Sequence, residues 1–157
     1  MARRRYWLFK SEPSTYSIDD LAREPGGRAM WDGIRNYQVR NLLRDEVRVG
    51  DGVLFHHSGI AEPAVVGTAR VVRAAYPDPT QFDPRHPGYD SRSSPDAPRW
   101  LAVDIALVET FSRPVTLAAM RAEPRLAGLA VLRRGNRLSV TPVPADAWRL
   151  IVRLGRG

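Results

Sequence analysis

Trp31 stands in a polar stretch, Trp31-Asp32-Gly33-Ile34-Arg35, outside any apolar periodic run. An indole that supplies no core stripe is free to stack on a flat ligand. The competing reading makes it a plug at one end of the core. Stacking of a nucleic-acid base on an aromatic ring is worth about 1–3 kcal/mol. Arg35 directly precedes a helix that Asn36 can cap. A helix N-terminus has free N–H groups that attract anions, and a guanidinium adds a planar fork that grips phosphate with two donors. Asn36 can cap and face a ligand at once. Lys10 and Ser11 end the first apolar strand. Ser11 can meet the edge of a ligand through its hydroxyl or backbone. Lys10 can meet phosphate or pair with Glu12. Neighbouring strand residues face opposite ways, so both enter one pocket only if the strand bends there.

Other chemistry finds little support. Glu12, His57 and Ser58 are the residues from which a nucleophile set could be assembled, but they lack the G-x-S-x-G elbow. Neither a phosphate loop nor a dinucleotide fingerprint is present. The chain has no cysteine, which excludes disulfides, thiolate metal sites and a cysteine nucleophile. Its three histidines, His56, His57 and His86, are poorly spaced for zinc. No cofactor or metal is expected, and no catalytic residue is assigned.

The net charge is +7, and all but one of the 24 basic residues are Arg, Lys10 being the exception. The Arg skew fits a GC-rich coding sequence, but the excess of positive charge points to a polyanion, nucleic acid first. Arg40 and Arg44 form either a phosphate track or a solvated helix face. Arg3, Arg4 and Arg5 read as a solvated arm. Only four apolar residues, Tyr6 to Phe9, follow that arm, short of the ~7–15 of a secretory leader. No apolar run approaches the ~20 residues that span a bilayer. The expectation is a soluble, cytoplasmic protein with access to the nucleoid and no membrane partner.

These residues need elements to hold them. Tyr6 to Lys10 reads as an aromatic strand ended by Pro13. Ser17 caps a helix from Ile18 to Glu24, and Pro25-Gly26-Gly27 stops it. A second helix runs from Asn36 to about Glu46, with Val39, Leu42 and Leu43 at helical spacing. Val53 to His57 is a strand with Val53, Phe55 and His57 on one face and Leu54 and His56 on the other, His56 exposed. Ala64 to Arg73 is another strand, with Gly67 as a site of bulge or close approach. Residues 77–99, with six prolines, form a long loop, tied down by Asp90 and Arg99. Trp100 to Val108 is a strand, Val115 to Glu123 and Arg125 to Leu132 are helical pieces, and Arg137 to Val140 is a last strand. A helix begins at Pro144. Trp7, Trp100 and Trp148 belong to the core. The 157 residues make one domain over 6–154, with an arm at 1–5 and a tail at 155–157. Strands and short helices without a β-α-β rhythm give an α+β class with a mainly antiparallel sheet.

Several segments are familiar in combination. Tyr6-Trp7-Leu8-Phe9-Lys10-Ser11-Glu12-Pro13, Trp31-Asp32-Gly33-Ile34-Arg35-Asn36-Tyr37-Gln38 with Arg40 and Asn41, and Phe55-His56-His57-Ser58 resemble, in order, signatures of the EVE-domain family. Tyr76-Pro77-Asp78, Tyr89-Asp90, Pro98-Arg99-Trp100 and Arg137-Leu138-Ser139-Val140 continue the resemblance. It implies a PUA-like fold, a small bent β-barrel with peripheral short helices, related to the YTH readers of methylated adenine in RNA. It implies recognition of a modified base, modified cytosine in DNA, rather than catalysis. Under this resemblance Tyr37 and Asn41, one helical turn apart, line or buttress the pocket, and His57-Ser58 contacts the base. An RNA-binding PUA-like module acting on tRNA or rRNA is the alternative, and a nucleoside-processing enzyme a third. A reader this small implies a separate effector protein. It is expected to be a monomer.

Overall fold

The computed structural model describes residues 4–157. β1 (Tyr6–Ser11) leads into α1 (Ile18–Arg23), whose Ser17 cap forms a reciprocal capping box with Asp20. A short 3-10 turn at Pro25–Gly27 follows, then β2 (Arg28–Trp31) and α2 (Tyr37–Asp45), capped by Asn36. β3 (Gly52–His57), β4 (Ala64–Pro77) and β5 (Leu101–Thr116) form the middle of the sheet. α3 (Leu117–Arg121), β6 (Val140–Val143) and α4 (Ala145–Arg156) complete the chain.

The six strands lie in the order β2-β5-β4-β3-β1-β6. Only β1 and β3 run parallel; every other neighbouring pair is antiparallel. The α+β, mainly antiparallel, PUA-like class therefore holds. The ladder ends at β2 and β6, so the small barrel expected is an open six-stranded sheet. Register shifts recur along β4 and β5, and bulges of this kind bend a sheet. At Gly67 a side chain would collide with the Glu109 carbonyl and with Ile18, so glycine is what lets β4, β5 and α1 approach there.

Each face of the sheet carries its own core. Trp7, Phe9, Val53 and Phe55 point toward α1 and α2, where Leu21, Val39 and Leu43 meet them. Leu8, Leu54 and Val65 point the other way, toward Met120 of α3 and Leu150 and Ile151 of α4. Strict alternation along β1 thus feeds two cores at once.

Several expected boundaries move. Arg28–Trp31 is strand, not loop: as an edge strand it buries only the side of Ala29 and Trp31, leaving Arg28 and Met30 outward, so its pattern reads as polar. β4 and β5 extend to Pro77 and Thr116, and Val115 belongs to β5 rather than to a helix. The last strand begins at Val140 because residues 133–136 turn, with Asn136 N–H donating to the Arg133 carbonyl. The tail expected at 155–157 is helix through Arg156, with Gly155 buried against Phe111 and Arg156 paired with Glu109. Of the arm, residues 1–3 lie outside the described residues. Arg5 is not loose: its N–H donates to Asp51, and its guanidinium pairs with Glu46 and lies over Trp7. Among the described residues no helix is long and apolar enough to cross a membrane.

Candidate functional site

A cleft of about 480 Å³ opens at the C-terminal end of β1. Lys10, Ser11 and Glu12 form one side, Thr15 and Tyr16 a second, and Met30 to Arg35 the third, with Ser139 at the rim. Both Lys10 and Ser11 border it. Pairing of β1 with the β6 side ends where the Lys10 N–H donates to the Ser139 carbonyl at 2.8 Å, and the cleft opens at that end of β1.

Trp31 is the aromatic wall. Its place is set by β2 pairing, Trp31 opposite Val103. Phe9 packs beside it with ring centres 5.5 Å apart, while Phe55 and Tyr16 meet it edge-on at 5.4 and 6.3 Å. It is 8% exposed, so the plug and wall readings are both realised: most of the indole is core and the remainder borders the cleft. Tyr16 is half-buried, and burial together with Glu24 pushes its hydroxyl up to about 12. It stays protonated and donates to Glu24 at 3.3 Å.

The polar lining divides into spent and unspent groups. Ser11 Oγ donates to the Tyr16 carbonyl at 2.6 Å, so its donor is used within the protein. Lys10 is half-buried, and desolvation lowers its pKa; of its two alternatives, phosphate or Glu12, the pairing with Glu12 does not form. Asp32 is accessible at the cleft wall. Desolvation of its carboxyl, and then the Asp78 carboxylate, push its pKa up, partly opposed by a hydrogen bond from its own backbone N–H and then by His86 and Arg35.

Arg35 requires a correction. Its Nε and Nη2 donate to the Gly88 carbonyl at 3.1 and 2.7 Å, its Nη1 to the Ile34 carbonyl at 2.9 Å and to Asp78 Oδ2 at 3.0 Å, and its Nη2 also to Thr80 Oγ1 at 3.1 Å. A guanidinium has five N–H donors, and all five are taken. Arg35 has no fork left for a phosphate; it clamps the 78–90 segment onto the cleft. Burial pushes the Asp78 carboxyl up, but hydrogen bonds from Thr80, Gly33 and Arg35 outweigh it and leave the pKa lowered. Trp100 Nε1 donating to Asp90 at 2.8 Å pins the far end of the same loop, a tie that residue spacing had assigned to Arg99.

The other expected site residues fall outside the cleft lining. Asn36 Oδ1 accepts from Val39 N–H at 3.0 Å, a helix cap. Tyr37 packs on Trp100 with ring centres 4.7 Å apart, and the Arg40 guanidinium lies 4.8 Å from the Tyr37 ring centre. Asn41 Oδ1 accepts from Arg40, whose Nη1 reaches the Arg99 carbonyl. Tyr37 and Asn41 therefore buttress α2 against the 99–100 segment rather than line the cleft. His57 Nε2 accepts from the Ile18 N–H at 3.1 Å and so anchors the start of α1; burial lowers its pKa. The Ser58 N–H donates to the Ser11 carbonyl at 3.0 Å. This pair braces the cleft from behind. His56, expected at the surface, is 2% exposed with neither ring nitrogen partnered, and burial, then Lys10 and His57, lower its pKa to about 4. The second core covers the face that a sequence read as solvent.

Of the expected residues, the structure brings together Lys10, Ser11, Trp31 and Arg35. Tyr16, Met30, Asp32 and Ser139 were missed. Tyr16 carried the same signal as Trp31, an aromatic in a polar stretch between Pro13-Ser14-Thr15 and Ser17. Asp32 lay inside the quoted motif without a role.

An open, bent α+β sheet with a Trp31-walled cleft at the end of its first strand is the arrangement of a PUA-like module. The EVE domain pattern matches residues 5–154, and the chain belongs to that family. Thymocyte nuclear protein 1 of Mus musculus is 36% identical over 166 residues, covering 95% of this chain and 73% of that protein. A crystal structure from Pseudomonas putida is 46% identical with a TM-score of 0.89, covering 95% of this chain and 98% of that one. The human THYN1 protein, solved in complex with 5-methylcytosine containing DNA, is 34% identical with a TM-score of 0.89, covering 98% of each chain. A YTH domain of the Zygosaccharomyces rouxii MRB1 protein, in complex with N6-methyladenosine RNA, shares the fold at 16% identity and a TM-score of 0.55, covering 98% of this chain and 88% of that one.

Proposed function

We propose that this chain is a non-catalytic reader of a modified base, 5-methylcytosine in DNA being the leading candidate, with the base lying against Trp31. The Trp31-walled cleft carries the proposal. Its volume falls within the ~300–1,000 Å³ usual for small-ligand sites, and its aromatic wall is braced on several sides, so it does not need to reorganise when a base arrives. The human relative solved with methylated DNA supports the same ligand class. Recognition in such a cleft requires the base to leave its stack, which costs a few kcal/mol in a duplex and less in a single strand. Lys10 borders the cleft and among the described residues has no carboxylate partner, which supports a role in meeting an adjacent phosphate. Backbone contacts of that kind add affinity without base information.

The test is titration of matched oligonucleotides carrying one cytosine, 5-methylcytosine or 5-hydroxymethylcytosine, in DNA and in RNA. Preference for one modified base supports the reading. Equal, purely salt-dependent affinities overturn it, since phosphate contacts alone follow salt and not base identity. Preference for the RNA series moves the function to an RNA module. Trp31→Ala should lower the affinity for a strand carrying the base about tenfold relative to an abasic strand, in line with the loss of one stacking surface, while leaving most salt-dependent binding in place.

A further inference from the structure

We infer that Asp32 is the residue by which the cleft tells a cytosine from a thymine, accepting a hydrogen bond from the exocyclic amino group of the base. The inference rests on the base-reading function proposed above and names a determinant of its specificity.

Thymine and 5-methylcytosine carry the same methyl group on the same ring carbon. Walls such as Trp31, Met30 and Ile34 therefore admit both, and discrimination must come from the polar edge. Cytosine presents an amino donor where thymine presents a carbonyl acceptor. A site that rejects thymine needs an unspent acceptor at that edge. Arg35 and Lys10 are donors only, and every Arg35 donor is used. The Ser11 and Tyr16 hydroxyls spend their protons within the protein; the lone pairs they keep are neutral acceptors, weaker toward an amino donor than a carboxylate. Glu12 is folded toward the 58–60 turn: a side chain built on Gly59 would come within 3.0 Å of its Cγ and Oε1.

Asp32 differs from all of these. It lines the cleft immediately after the aromatic wall. Its backbone is fixed on both sides, by Trp31 pairing with Val103 and by the Gly33 N–H donating to Asp78 Oδ2 at 2.9 Å. Among the described residues its carboxyl has no ion-pair partner; it accepts from its own backbone N–H, and a carboxylate has further lone pairs to offer. A carboxylate accepts and does not donate, so it welcomes the amino group of cytosine and repels the carbonyl of thymine. Desolvation and Asp78 push its pKa up despite the hydrogen bond from its own backbone N–H, and an amino donor would relieve part of that desolvation.

Asparagine is the informative replacement. It keeps the shape and the acceptor but adds an amide donor, so it can match either base edge. The experiment titrates single-stranded DNA 12-mers that differ at one central position: 5-methylcytosine, thymine or an abasic site. It is run at pH 8, where the carboxyl is ionised, with circular dichroism melts of each variant. The natural chain should prefer 5-methylcytosine over thymine by roughly tenfold to a hundredfold, the usual range for one good base-edge contact. Asp32→Asn should bring that ratio to within about threefold while leaving abasic binding unchanged. Asp32→Ala should weaken 5-methylcytosine binding and not thymine binding. If Asp32→Asn melts like the natural chain and keeps its ratio, Asp32 is not the determinant. If the natural chain binds 5-methylcytosine and thymine alike but both above the abasic strand, the inference fails and the base-binding reading stands. If all three strands bind alike, both are lost.

Discussion

His56 gives the stability of this fold a defined dependence on acidity. Its ring is held between Lys10 on the neighbouring strand and the second core, with neither nitrogen partnered. Burial lowers its pKa from 6.5 to about 4. The folded chain therefore keeps the ring neutral where the unfolded chain takes up a proton. Stability is complete above about pH 6.5 and drains away as the pH falls toward 4. At about 1.4 kcal/mol for each pKa unit, this one ring removes about 3 kcal/mol across that window, most of it by pH 4.5. His57 is shifted in the same direction and adds to the slope. Replacing His56 with Leu deletes the titration together with two buried nitrogens that lack partners, each a cost of about 1–3 kcal/mol. The variant should be no less stable than the natural chain at pH 8 to within about 1 kcal/mol, because lost packing and relieved desolvation oppose one another. Its stability should fall about 2–3 kcal/mol less between pH 6.5 and 4.5. Urea titrations followed by tryptophan fluorescence at half-unit steps of pH measure this directly. A variant whose stability falls in parallel with that of the natural chain would refute the assignment of the proton to His56.

Two further outcomes follow from packing and ion pairing. Arg35→Ala leaves the fully buried Asp78 carboxylate without its cation and frees the Gly88 carbonyl, and should cost about 3–5 kcal/mol in chemical denaturation; it should also speed proteolysis within residues 79–99 at temperatures where the rest of the fold resists. Gly67→Ala drives a methyl into the Glu109 carbonyl and Ile18, and should lower stability by about 1–3 kcal/mol, or roughly 3–10 °C in melting temperature for a chain of this length.

How far the site could be read from the sequence depended on whether each residue's role was local. The Asn36 cap and the Ser17 cap are local geometry, and both stand where the sequence placed them. Trp31 was identified for its aromatic character in a polar run, though that run is an edge strand with one buried side. Roles set by distant partners were not legible. Nothing near Arg35 in sequence announces that Asp78, Thr80 and Gly88 will consume its donors. Tyr37 and Asn41 share a helix face as expected, but that face meets Trp100 and Arg40 rather than the cleft. His56 looked exposed because alternation shows only that it opposes Phe55; it cannot show that a second core covers the opposite face. Asp32 was legible as a residue and not as a role, because its interest lies in partners it lacks.

The position of β1 has a consequence for how the protein comes into being. Its two neighbours are β3, just past the first third of the chain, and β6, which lies close to the last helix. The strand that carries Lys10 and Ser11 is made first on the ribosome but acquires its outer neighbour only after nearly all of the chain has emerged. Closing so long a loop is slow, because its entropy is lost before the contacts that repay it form. The cleft is thus a late product of folding. A nascent or C-terminally clipped chain would expose β1 as an unpaired apolar edge, open to pairing with other chains, before it could hold any ligand.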